Sequence, residues 1–200
     1  MKRFWSVLIA FLLVCVLAAC GADLIEKDAP SSESSSAPVE KDALSCESSS
    51  AESLETNETQ GQKNAVKKAK SYLNVSAFSR NGLVEQLKFE GFTEEEAAYG
   101  VEHCGADWEE QAGKKAQSYL EISSFSYSGL VSQLEFEGFP RDLAVKAADN
   151  CGADWKEQAA KKAKSYLSFS SFSKAGLIQQ LEFEGFTSEE AVYGVEANGF

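Results

Sequence analysis

From residue 64 onward, one pattern recurs three times without a gap at a period of 47 residues. Ala69-Lys70-Ser71-Tyr72-Leu73 returns as Ala116-Gln117-Ser118-Tyr119-Leu120 and as Ala163-Lys164-Ser165-Tyr166-Leu167, and Gln-Leu-x-Phe-Glu-Gly-Phe recurs at 86–92, 133–139 and 180–186. A helical pattern copied in tandem at this period is one supersecondary unit stacked on its neighbours. The expected fold is therefore all-α, a tandem array of three small three-helix, helix-turn-helix-like repeats at 64–105, 106–152 and 153–200. Arrays of this kind usually bind rather than catalyse.

Local signals divide each repeat. Asp107-Trp108-Glu109-Glu110 and Asp154-Trp155-Lys156-Glu157 have the form of capping boxes and open the first helix. Trp108, Ala112, Ala116 and Tyr119 then follow at helical spacing, copied by Trp155, Ala159, Ala163 and Tyr166, which predicts a narrow apolar stripe with alanines at a close helix contact. The Ser-x-Phe-Ser tetrads at 76–79, 123–126 and 170–173 interrupt the pattern and supply an N-cap serine for a second helix. Its leucines recur four apart, at Leu83 and Leu87, Leu130 and Leu134, Leu177 and Leu181. Glu-Gly-Phe ends it, the glycine serving as a left-handed cap and the phenylalanine as a plug. Thr93 to Glu96 and Thr187 to Glu190 are capping boxes for a third helix, whose inner face carries Ala97, Val101 and Cys104 in the first copy. The middle copy has Pro140 instead, which can still begin a helix. Copy one lacks the Asp-Trp opening and copy three runs to Asn198-Gly199-Phe200, so the array is expected to have cut ends, with Trp108 and Trp155 as the joints between modules.

Residues 1–19 comprise Lys2-Arg3 and an apolar run, too short and wrongly flanked for a stable spanning helix, and read as a signal peptide. The run ends Leu17-Ala18-Ala19-Cys20-Gly21, which resembles a bacterial lipobox. Cys20 is then the expected lipidation site, carrying a covalent diacylglycerol and no other cofactor, and two acyl chains suffice for stable attachment. The expected location is the outer face of the cytoplasmic membrane. Residues 20–63 are rich in Ser and Glu and contain no aromatic residue, so no core can form there. As a flexible tether this segment would span roughly 35–40 Å, which suits a thick, Gram-positive-type envelope.

The formal charge of −12 divides into +2 on the signal, −7 on 20–63 and −7 on 64–200. An acidic array outside a membrane is a poor nucleic-acid ligand, because affinity for phosphate comes from lysines and arginines that displace counterions. The helix-turn-helix pattern does not change this, since the third helices of the outer copies open on clustered acids where a reading helix needs Arg, Asn or Gln. Of five cysteines, Cys15 lies in the signal, Cys20 is the expected lipid site and Cys46 sits in the linker. Cys104 and Cys151 occupy one position of successive repeats, a module apart, and are expected to be buried as small apolar residues rather than bridged.

The only histidine, His103, stands at the end of a third helix. One histidine provides neither a catalytic set with an orienting partner nor a two-histidine metal motif, and no Gly-rich phosphate loop is present, so an enzyme is not expected and neither catalytic nor metal residues are assigned. The candidate binding residues are features repeated three times that packing does not require. Phe89, Phe136 and Phe183 fall two residues after a buried leucine, about 200° round the helix from it, and are followed by Glu90, Glu137 and Glu184. These rings are either partly exposed or buried against the turn or the neighbouring module; an exposed aromatic beside a carboxylate, repeated along an array, would suit multivalent contact with a protein partner.

The lipobox, the Ser/Glu tether and the tandem Ala-x-x-Tyr-Leu, Ser-x-x-Gly-Leu-x-x-Gln-Leu and Glu-Gly-Phe motifs together resemble the Ltp-type host cell surface-exposed lipoproteins. The resemblance covers residues 64–200 and implies small three-helix modules with helix-turn-helix character. It also implies a role in superinfection exclusion, in which a prophage-encoded lipoprotein stops phage DNA injection by engaging the tape measure protein. No catalytic residues carry over. The expected protein is a membrane-anchored monomer that binds a phage protein; the alternative is a general envelope-interaction or adhesion lipoprotein.

Overall fold

The computed structural model describes residues 58–200. The signal, Cys20, Cys46 and most of the linker lie outside the described residues. Nine helices and no strand occur among the described residues, three helices per repeat. The first repeat comprises α1 (Gln60–Leu73), α2 (Arg80–Phe89) and α3 (Glu94–Glu102); the second α4 (Trp108–Ile122), α5 (Tyr127–Phe136) and α6 (Arg141–Asn150); the third α7 (Trp155–Phe169), α8 (Lys174–Phe183) and α9 (Ser188–Glu196).

Most helix starts follow the sequence signals. Ser79, Ser126 and Ser173 accept from the N–H of Gly82, Gly129 and Gly176 at 2.9–3.1 Å. Full capping boxes form at Thr93 with Glu96 and at Thr187 with Glu190, and α6 begins after Pro140 without a side-chain cap. Two expectations need correction. Asp107 and Asp154 cap α4 and α7, but neither Glu110 nor Glu157 returns a bond to the cap backbone; Glu110 instead pairs with Lys114 at 2.8 Å, one turn along. The first helix also opens at Gln60, inside the segment assigned to the linker, because Thr59 and Gln62 form a capping box of their own.

Each second helix ends as its Glu-Gly-Phe motif dictates. Gly91, Gly138 and Gly185 have φ of +94°, +87° and +86°, and the following Phe92, Phe139 and Phe186 donate their N–H to Leu87, Leu134 and Leu181 at 3.1–3.2 Å. These are Schellman-type closures, which satisfy carbonyls that a helix end leaves open. The phenylalanine then turns inward; Phe139 and Phe186 are buried.

Each repeat has its own hydrophobic core. Ala69, Leu83, Leu87, Ala97, Val101 and Cys104 form the first, Ala112, Ala116, Leu130, Leu134 and Ala144 the centre of the second, and Ala159, Ala163, Leu177, Leu181, Ala191 and Val195 the third. The six leucines are fully buried, each a gain of about 2 kcal/mol against exposure. First and third helices approach closely in the outer repeats: a Cβ on Gly100 would meet the Ala65 carbonyl carbon at 2.8 Å, and one on Gly194 that of Ala159 at 2.7 Å. The middle repeat has Ala147 at this position and must hold its helices farther apart. Cys104 is buried and Cys151 half-buried, both as free thiols whose Sγ donates to the Val101 and Ala148 carbonyls at 3.0 and 3.1 Å. In the third repeat Asn198 holds the same position and donates to the carbonyls of Ala160 and Gly194.

The modules are joined by two devices. Trp108, at the start of α4, packs against the first core, and Trp155, at the start of α7, packs against the second, where Tyr127 meets it edge-on at 5.5 Å. The N-cap serines also reach across: Ser79 Oγ donates to the Glu137 carbonyl at 2.5 Å and Ser126 Oγ to the Glu184 carbonyl at 2.7 Å. Ser128 adds a bond to the Gly185 carbonyl at 2.9 Å. One polar atom at each joint remains unsatisfied, the buried Oε1 of Gln111 and of Gln158.

Two outcomes follow for stability. Ser126→Ala removes a helix cap and an inter-repeat bond whereas Ser173→Ala, at an exposed serine, removes a cap alone; in urea unfolding the first should cost about 1 kcal/mol more than the second. Gln158→Met, which deletes a buried acceptor without a partner, should raise unfolding stability by about 1 kcal/mol.

Candidate protein-binding surface

The Glu of each Glu-Gly-Phe motif is not a freely solvated helix end. Tyr72, Tyr119 and Tyr166, near the ends of the first helices, donate their hydroxyls to Glu90, Glu137 and Glu184. Lys68, Lys115 and Lys162 pair with the second carboxylate oxygen of the same glutamates at 3.1, 2.9 and 2.9 Å. Gln86, Gln133 and Gln180 donate to the tyrosine oxygens at 3.1–3.2 Å, and Phe78, Phe125 and Phe172 hold the rings edge-on at 5.6–5.8 Å. This four-residue network ties the end of the second helix to the first, identically in all three repeats. Helical spacing produces it: lysine and tyrosine four apart lie on one face, and the glutamate arrives from the facing helix.

The network perturbs its own members. Burial and then the bond to Glu90 push the Tyr72 hydroxyl up to about 12, and burial with the Glu184 bond pushes Tyr166 up to about 12. The Tyr72 hydroxyl, with help from Lys68 and against burial, holds Glu90 below its usual range. Bond geometry and burial thus favour a neutral phenol donating to an ionised carboxylate, an arrangement that fastens rather than reacts.

Phe89, Phe136 and Phe183 lie on the other side of the same helix ends. They are 73%, 63% and 82% exposed. Each Phe-Glu pair is therefore split, the ring facing solvent and the carboxylate drawn into the network. A second exposed apolar row runs in the same register and escaped the sequence reading: Val75, Ile122 and Phe169, 85%, 70% and 87% exposed. Its signal was present, an apolar residue just before each Ser-x-Phe-Ser tetrad, but it falls where the helical pattern breaks and so carries no periodicity.

His103 stacks on Tyr99 with centroids 3.9 Å apart, its Nδ1 2.9 Å from the Tyr99 carbonyl, at the C-terminal end of α3. Among the described residues no group of His, Cys, Asp or Glu is placed to hold a metal ion, and no helix is long and apolar enough to cross a membrane.

Independent small cores, serine-bonded joints and apolar residues displayed at one interval define a tandem helical array. The model of the family described as host cell surface-exposed lipoprotein matches residues 60–104, 107–150 and 154–197, more than half of the chain, and the chain belongs to that family. This makes it a surface lipoprotein and not an enzyme. A solved structure, that of Ltp, a superinfection exclusion protein from the Streptococcus thermophilus temperate phage TP-J34, is 32% identical over 46% of this chain and 96% of its own, with a TM-score of 0.44. No curated protein matches significantly.

The network sets a pH window. A phenol whose folded value is raised from 10.0 to about 12 stabilises the fold below pH 10 and loses that contribution as pH rises toward 12. Glu90, lowered, contributes above the ordinary carboxylate range and loses its share on acidification. Tyr166→Phe should cost about 1–2 kcal/mol at neutral pH and flatten the fall in thermal stability between pH 10 and pH 12, measured by circular dichroism.

Proposed function

We propose that the chain is a lipid-anchored surface lipoprotein that excludes superinfecting phage by binding a phage protein, the tape measure protein, as DNA injection begins. The observation that carries the reading is the repetition of exposed Phe89, Phe136 and Phe183 along a three-module array of a surface-lipoprotein family. All three rings are mostly exposed to solvent. A row of modest apolar contacts gains strength by multivalency when the target is itself long and repetitive, as a filamentous helical tail component is. Acylation of Cys20 would keep the array at the membrane, where an emerging tail component arrives, with the residues between Cys20 and the first helix as its tether. Glu90, Glu137 and Glu184 set the position of the neighbouring rings, and their contact with the partner is limited to the edge they leave open.

The test is expression of the whole lipoprotein in a phage-sensitive Gram-positive host, with adsorption and intracellular phage DNA measured after infection. The expected outcome is normal adsorption with DNA entry lost, abolished by Cys20→Ser. Phe89→Ser, Phe136→Ser and Phe183→Ser combined should restore DNA entry at least about tenfold while leaving the melting temperature unchanged, since exposed side chains contribute little to stability. Unchanged DNA entry across a phage panel would instead support a general envelope-interaction or adhesion role.

A further inference from the structure

The row of Val75, Ile122 and Phe169 sits at the far ends of the first helices, and charge is distributed unevenly around it. The first helices α1, α4 and α7 carry +4, −1 and +3, while the third helices α3, α6 and α9 carry −4, 0 and −3. Cross-links such as Lys146 to Glu109 and Lys156 to Glu189 tie the third helices to the N-terminal turns of the first. The first helices have 14 or 15 residues and the third 9 or 10, so the C-terminal halves of the first helices run beyond their acidic neighbours. Those halves carry exposed Lys67, Lys70 and Lys164, and exposed Lys114 and Lys161 stand midway along α4 and α7. Across the first joint Lys114 lines the same shallow groove as Val75; Ile122 and Lys161 hold the matching positions at the second.

We propose that this edge of the array docks on an anionic lipid surface, with Val75, Ile122 and Phe169 entering the headgroup region and the flanking lysines meeting lipid phosphates. An apolar side chain standing out from the surface beside a lysine is suited to a bilayer interface, which gains from burying it and from the cation together. A folded protein partner gains most from anchors set into pockets, and these three side chains protrude. The net charge of the array does not oppose docking, because the negative net charge falls on the third helices and the positive on the first, and repulsion from an anionic surface orients the basic edge toward it. The contact is distinct from capture of a phage protein by the phenylalanine row, and either can fail without the other.

The full chain carrying Cys20→Ser is mixed with vesicles of phosphatidylcholine alone or with 30% phosphatidylglycerol and sedimented; because residues 1–19 are themselves apolar, every variant is read against this parent. The expected result is anionic-vesicle binding that weakens with salt and falls about tenfold in Val75→Ser, Ile122→Ser, Phe169→Ser combined, and comparably in Lys114→Glu with Lys161→Glu. Placement is read separately with brominated lipids, which should quench added fluorescence in Phe169→Trp and not in Tyr193→Trp on α9. Equal binding by the parent and the serine variant, or equal quenching at both positions, overturns the proposal. So does capture of polyglutamate by the lysine edge without any vesicle binding, which would mark it as a site for an acidic polypeptide.

Discussion

The hydrogen bond from a helix-capping serine to a carbonyl of the next repeat is the constraint on which the array's geometry depends. Ser79 and Ser126 each cap their own helix and donate across the joint, so the start of one second helix is fixed on the end of the next. The closure at that end must present its carbonyl outward and leave space above the following glycine. A positive φ at Gly138 and Gly185 does both, and the serines press to about 3.0 Å of where a Cβ would stand. A side chain there would be strained in its backbone and would also lift the neighbouring module away. Trp108 and Trp155 complete the joint by burying apolar surface between modules that are each near the lower size limit for folding alone.

Inside each module the lysine, tyrosine, glutamine and glutamate network does for two helices what the serine does for two repeats. It uses charged and polar groups at the edge of a small core, where leucine burial alone leaves the helix ends free to fray. Because it consumes the recurrent glutamates, the exposed recurrent residues beside them are the apolar rings that precede them. The surface of the array is thereby sorted into fastened polar groups and two displayed rows, Phe89, Phe136, Phe183 and Val75, Ile122, Phe169. The fold's regularity places each row at a constant interval, which is the property a multivalent binder needs.

Repetition made much of this legible before any coordinates. Helix number, the serine and threonine caps, the glycine closures and the buried leucines are local matters, set by backbone chemistry within four or five residues, and three copies of each signal reinforce one another. The misread starts are also local: Asp107 and Asp154 cap without a returning glutamate because Glu110 is drawn to Lys114 and Asp154 acts alone, and Thr59 with Gln62 starts a helix that the missing Asp-Trp had hidden. The phenylalanines stood out because their angular position opposed a buried leucine.

By itself the sequence determined the all-α class, the three modules, their internal cores and the tryptophan joints, since each follows from spacing along one chain. Only the tertiary structure decided what the glutamates do, how the capping serines bond across the joints, that Phe89, Phe136 and Phe183 are exposed and which further residues are displayed. Glu90 meets a tyrosine 18 positions earlier, and Ser79 meets a carbonyl 58 positions later. Such contacts join groups whose separation in sequence holds no period and whose meeting depends on how helices cross, so no local pattern encodes them. Val75, Ile122 and Phe169 belong to the same class, because an apolar residue at a helix end becomes buried or displayed according to what the next module places above it.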